Sequence, residues 1–149
     1  MMTKERMYLA SGWFTPEQRR SVEEIKTLLR DLGCNFFSPE EDCPIQLTPG
    51  CSTRDKHLVF EEDVRQIDNA KIVIVNTADM DSGTIFEYGY SYARDKVIIY
   101  YNDVPADQAR KRNLMLAMSA DYHARNIDEL REVLTQGLHS NDVEGEELE

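Results

Sequence analysis

Asp81 and Glu87 are side chains of this sequence whose types and setting could do chemistry; Tyr8 and Asp63 are of reactive type, without a local setting that singles them out. Asp81-Ser82-Gly83-Thr84 leads into what reads as a helix, with Glu87 one turn inside it. The amino end of a helix presents unpaired N–H groups and a partial positive charge, which favour an ionised carboxylate. Gly83, lacking a Cβ, lets a ligand approach the backbone closely. Carboxylates gathered around one ligand repel one another, so one keeps a proton near neutral pH while another ionises. That is the division of labour between a general acid and a nucleophile. Each residue also has a plainer reading. Thr84-Ile85-Phe86-Glu87 fits a T-x-x-E capping box, and Asp81 suits an Asx turn. Asp63, in Phe60-Glu61-Glu62-Asp63, fits a solvated helix face, and Tyr8 fits the core.

The elements that must position these groups alternate between strand-like apolar runs and helical patterns, the signature of a parallel sheet covered by helices. Met7-Tyr8-Leu9-Ala10 is the first run and ends in Ser11-Gly12. Thr15 as N-cap, Pro16 at the first helical position and Gln18 closing a T-x-x-Q box start a helix. Val22, Ile25, Leu28, Leu29 and Leu32 make its apolar stripe, and Gly33 ends it. Cys34-Asn35-Phe36-Phe37 reads as a second strand, followed by a long aperiodic loop from Ser38 to Arg54 of the kind that is usually functional. A helix is predicted over 55–69, with Val59, Phe60, Val64 and Ile67 inward. Lys71 to Asn76 and Val97 to Tyr101 are the most apolar runs and read as central strands. A helix over about 83–94 separates them. A short helical or irregular piece over 113–119, a weak strand near 121–123 and a closing helix over 127–138 complete the domain. The expectation is one α/β domain over 1–138, with a flavodoxin-like (Rossmann-like) parallel sheet of about five strands and helices on both faces. In such sheets ligands bind beyond the carboxyl ends of the strands, where the turns at Ser11 to Phe14, Ser38 onward and Asn76 to Gly83 should meet.

Composition narrows the function classes. A chain of 149 residues forms a single domain that buries about two-thirds of its unfolded surface. With 17 basic against 28 acidic residues the net charge is −11, which argues against a nucleic-acid partner, since phosphates need a basic stripe. Arg110-Lys111-Arg112 is the densest basic cluster. No apolar run approaches the roughly 20 residues of a membrane span, and the first residues lack a signal peptide's apolar stretch, so a cytoplasmic location is expected. Cys34, Cys43 and Cys51 form no C-x-x-C pair, and His57, His123 and His139 are far apart, so no metal site is expected. Residues 139–149 hold Asp142, Glu144, Glu146, Glu147 and Glu149 and read as a solvated, disordered acidic tail.

Four segments in order resemble the nucleoside 2-deoxyribosyltransferase family: Tyr8-Leu9-Ala10-Ser11-Gly12-Trp13-Phe14, Asp63-x-x-x-Ile67, Asp81-x-Gly-Thr-x-x-Glu87-x-Gly89-Tyr90, and Asn113-Leu114-Met115. The resemblance covers most of residues 7–119. It implies a flavodoxin-like fold, oligomeric assembly and no cofactor. It matches Glu87 to the family's nucleophile and Tyr8 to the phenol that orients it. Asp63 and Asp81 match the acids near the leaving base and the sugar. The turn at Gly12, Trp13 and Phe14, together with Gly83, would contact substrate. Asn113 and Met115 match residues that a neighbouring subunit lends to the site. Either Asp42 or Gln46 could contact the base, and the C-terminal acidic stretch lies beyond the matched segments.

The implied substrates are 2′-deoxynucleosides and free nucleobases. Opening an N-glycosidic bond creates an oxocarbenium-like centre at C1′ and a base that needs a proton. One carboxylate attacks C1′ while an acid protonates the base, the retaining logic of glycosidases. Two rival readings remain at the level of sequence. One is a hydrolase of deoxynucleoside 5′-monophosphates from the same superfamily, which needs phosphate ligands; Trp13 and Phe14 occupy the relevant turn, though Arg19 and Arg20 lie nearby. The other is a non-catalytic flavodoxin-like binding module; neither a P-loop nor G-x-G-x-x-G is present.

Overall fold

In the computed structural model, which describes residues 1–149, the apolar run Met7–Ala10 forms β1, buried at every position. β1 is flanked by β2 (Phe36–Phe37) and β3 (Ile72–Asn76), and β4 (Val97–Tyr101) and β5 (Tyr122–Ala124) extend the sheet. The order is β2-β1-β3-β4-β5, and every neighbouring pair is parallel. This is the flavodoxin-like arrangement, with its reversal of strand order between β1 and β3.

Successive side chains of a strand point to opposite faces, so the sheet sorts its residues by parity. Met7 and Leu9 join Ile72, Ile74, Ile99 and Tyr101 on one face, under α1 (Pro16–Asp31) and the final helix α6 (Ile127–Gln136). Tyr8 and Ala10 join Val73, Val75, Ile98 and Tyr100 on the other. That second face is covered by α3 (Thr53–Asn69) and α4 (Ser82–Ala93), which follow the short α2 (Pro39–Asp42). It receives Ile67 and Tyr88. The parity of β1 therefore aims Tyr8 at the helices that carry Asp63 and Glu87.

The capping box at the start of α1 forms as read, with Thr15 accepting from Gln18 N and the Gln18 side chain accepting from Thr15 N. α3 begins two residues earlier than expected, capped by Ser52, and the loop after β2 contains α2. Phe60 differs from expectation: it is 52% exposed, because it lines an open cavity, with Asp63 and Val64, instead of packing on the sheet.

The acidic stretch also differs from the solvated, disordered tail read from composition. Ser140 bridges Tyr122, and Asn141 Nδ2 donates to the carbonyls of Ala117 and Ala120. Glu146 pairs with the buried Arg112 at 2.8 Å. Glu149 exchanges backbone hydrogen bonds with Arg112 and Leu114. A buried guanidinium requires a carboxylate partner, and the tail supplies it.

Candidate active site

Which residue caps α4 decides what Glu87 does. Asp79 and Met80 adopt left-handed backbone conformations (φ 51° and 42°) and deliver Asp81, not Thr84, to the cap position. Asp81 Oδ2 accepts from Thr84 N at 2.9 Å and from the Thr84 hydroxyl at 3.0 Å. The helix thus begins at Ser82, Glu87 lies in its second turn, and the capping-box reading of Thr84 to Glu87 is not what the structure shows. Glu87 instead accepts a hydrogen bond from Tyr8 Oη.

A cavity of about 390 Å³ opens beside this pair, beyond the carboxyl ends of β1 and β3. Asp63, Asp81 and Glu87 line it, with Ser11, Ser82 and Gly83. Its remaining walls are aromatic or apolar. Trp13 and Phe14, 4.7 Å between ring centroids, form one side. Phe60 and Phe86, 5.9 Å apart, form another, with Pro39, Val64 and Ile67 between them. None of the lining side chains is a Lys, Arg or His. Trp13, Phe14 and Gly83 thus line the cavity, and Gly12, between Ser11 and Trp13, does not. A Cβ on Gly12 would come within 2.6 Å of Gln18 Oε1 and 2.9 Å of Asp81 Cβ, so the two turns meet in contact there.

Burial dominates the electrostatics. It pushes the Glu87 carboxyl up to about 8, against the Tyr8 hydrogen bond, with the charges of Asp63 and Asp81 adding to the rise. Asp63 is pushed up to about 6 by burial and by Glu62, and its Oδ1 is buried without a hydrogen-bond partner. Burial and the neighbouring Glu87 push the Tyr8 phenol far above its ordinary range, so it stays a proton donor. Two carboxyl groups titrating on either side of neutrality, beside a phenol that cannot ionise, can divide attack and proton transfer between them.

Four residues considered at the level of sequence lie outside this cavity. Asp42 Oδ2 accepts from Ser38 N at 2.8 Å, and Gln46 Nε2 donates to the Cys43 carbonyl at 3.2 Å; neither lines the cavity. Asn113 caps α5 (Leu114–Ser119), accepting from the backbone N–H groups of Met115 and Leu116. Met115 is 69% exposed. Conversely, sequence reasoning did not select Phe60 and Phe86, whose only signal was a large apolar side chain beside a candidate acid. Arg20 turns away from the cavity to Glu17, Glu24 and Asp103.

The sequence profile of the family described as nucleoside 2-deoxyribosyltransferase matches residues 7–136, and the chain belongs to that family. Among solved structures it is similar to a 2-deoxyribosyltransferase from Bacillus psychrosaccharolyticus, with 28% identity and a TM-score of 0.77 over 91% of this chain and 97% of that one. A conserved protein from Enterococcus faecalis shares the fold at 16% identity and a TM-score of 0.68, covering 91% and 99% of the two chains. So does a CMP N-glycosidase from Clostridium botulinum, at 17% identity and a TM-score of 0.56, covering 90% and 100%. No curated protein matches the sequence. No helix is long and apolar enough to cross a membrane.

Proposed function

We infer that this protein transfers 2-deoxyribose between nucleobases by double displacement, with Glu87 as the nucleophile. The observation that carries this reading is the cavity itself: three carboxylates, aromatic walls and no basic side chain. A 5′-phosphate would bring negative charge into that setting without a counter-ion, whereas an uncharged nucleoside enters at no such cost. Aromatic walls suit a flat base, which stacks on any of them.

In the first half-reaction, ionised Glu87 attacks C1′ as the C1′–N bond breaks. The bonding electrons pass to the base nitrogen, which takes a proton from Asp63. The sugar is then esterified to Glu87. In the second half, an incoming base attacks C1′ from the vacated side and yields its proton to Asp63, and the Glu87 carboxylate departs. Tyr8 holds the Glu87 carboxyl in place, and Asp81 faces the sugar from the helix start. Asn113 and Met115, outside their own chain's cavity, act in a neighbour's. Their exposure beside Leu114 and Met118, both also exposed, supports a self-complementary contact of this kind.

Incubation with deoxyinosine and free adenine, followed by chromatography, tests the activity. Deoxyadenosine is the expected product. Base release without a new nucleoside would make the protein a hydrolase, and an unchanged mixture would refute both.

A further inference from the structure

At the carboxyl end of β3, Asn76 is 1% exposed and makes hydrogen bonds to three separate parts of the chain. Its Oδ1 accepts from Ala78 N at 3.2 Å, which fixes the orientation of the amide, because a backbone N–H can only donate. Nδ2 must then face Ser11, and it donates to Ser11 Oγ at 3.0 Å. Ser11 in turn donates to the Gly12 carbonyl at 2.8 Å. Ser21 Oγ, on α1, lies 3.2 Å from Asn76 Oδ1 and 3.1 Å from Asp103 Oδ2.

We propose that Asn76 is a positioning residue, whose amide sets the Ser11–Gly12 turn and the Ala78–Asp81 turn relative to one another across the candidate active site. The inference rests on the reading of that site given above. Ser11 and Asp81 both line the cavity, and the turns carrying them touch at Gly12, where not even a methyl group fits against Asp81. Asp81 caps the helix that bears Glu87, so a drift of either turn is passed to the sugar side and to the nucleophile. The left-handed backbone at Asp79 and Met80 makes this loop one that its surroundings must hold in shape. The bond from Thr15 Oγ1 to Asp79 Oδ2, at 2.5 Å, ties its outer side. Asn76 ties the inner side, from a position 1% exposed, where polar groups depend on one another for their hydrogen bonds.

The experiment compares Asn76→Ala, Ser11→Ala and Ser21→Ala in the full chain. Two readouts are used: kcat and KM for base exchange, and acrylamide quenching of Trp13, the single tryptophan, which adjoins Gly12. Ser21→Ala cuts only the tie to α1 and Asp103 and should leave kcat within about twofold. Asn76→Ala should lower kcat at least tenfold with a smaller change in KM, since misplacement by ~1 Å can cost about a hundredfold in rate. It should also expose Trp13 to quencher while the far-UV circular dichroism stays native. If Asn76→Ala does not fold, Ser11→Ala removes the same bond from the other side and is read in the same way. Folded variants with native Trp13 quenching would overturn the proposal, as would a kcat that falls equally in Ser21→Ala. Should the wild-type protein prove inactive, the proposed function fails, and Trp13 quenching alone decides the role of Asn76.

Discussion

The Tyr8 hydroxyl donates to the Glu87 carboxylate across 79 positions of sequence. The strand supplies a rigid donor and the helix a buried carboxyl group, whose ionised form the bond favours against burial. Because this bond works against the rise of Glu87, Tyr8→Phe should push the carboxyl higher still. The ring still stacks on Phe37, 5.8 Å away, so the fold should persist. Base exchange at pH 7 should fall by roughly tenfold or more, the scale of a lost hydrogen bond of 1.5–3 kcal/mol to a charged group. The alkaline limb of its pH profile should move to higher pH. An unshifted pH profile would place the role of Tyr8 in packing alone.

Glu87→Ala should abolish exchange without loss of fold. A 2-fluoro-2-deoxyarabinosyl nucleoside should leave its sugar on the peptide containing Glu87, read by mass spectrometry. An adduct on another residue, or turnover by the Ala variant, would reject Glu87 as the nucleophile.

Glu87 also links stability to pH. Its folded value, about 8, lies above the ordinary 4.5, so folding favours the protonated form. The stabilisation is therefore complete below pH ~4.5 and is lost as pH rises through about 8. The melting temperature of the wild type should fall across that window. Glu87→Gln, neutral throughout, should melt higher than wild type at pH 8 and show a flatter profile. Parallel profiles would mean that Glu87 ionises freely in the fold.

Asp63→Asn should slow exchange between natural bases by about a hundredfold, the usual scale for a lost general acid. A substrate whose leaving group needs no proton should be spared. In the wild type, the productive form has Glu87 ionised and Asp63 protonated. With values of about 8 and about 6, kcat/KM should be bell-shaped around neutrality, with the two limbs belonging to the pair. Asp63→Asn should lose the alkaline fall and leave a single rise, set by the ionisation of Glu87.

A site shared between subunits is testable with two inactive proteins. Glu87→Ala and Asn113→Ala should each be strongly impaired. Dissociated and re-mixed, hetero-oligomers contain pockets with both residues intact, and activity should return in part. No recovery after subunit exchange verified by mass would confine Asn113 to its own chain, where it caps α5.

How far the site could be read ahead of the structure differs from residue to residue. The strands of the sheet centre and the start of α1 were legible because apolar runs and capping signals are local. Thr84 read as the cap and Asp81 as an Asx-turn residue; that Asp81 caps the helix turned on a left-handed pair at Asp79 and Met80 that no side-chain pattern announces. Phe60 was expected inward because it falls beside Val59 in an apolar pattern, yet on the structure it flanks the cavity mouth with Phe86. The acidic stretch was read from its charge alone. Its packing depends on Arg112, whose burial is a property of the folded whole.

By itself the sequence determined the layered α/β architecture and the burial of the strand that carries Tyr8. Those are consequences of hydrophobic burial and strand geometry, which act over short stretches of chain. Only the tertiary structure decided that Tyr8 meets Glu87, that Asp63 lies close enough to act on its charge, and that both carboxyl groups are driven toward neutral pH. Desolvation and charge coupling depend on distance in space and on how completely neighbouring elements exclude water. Neither is a function of spacing along the chain.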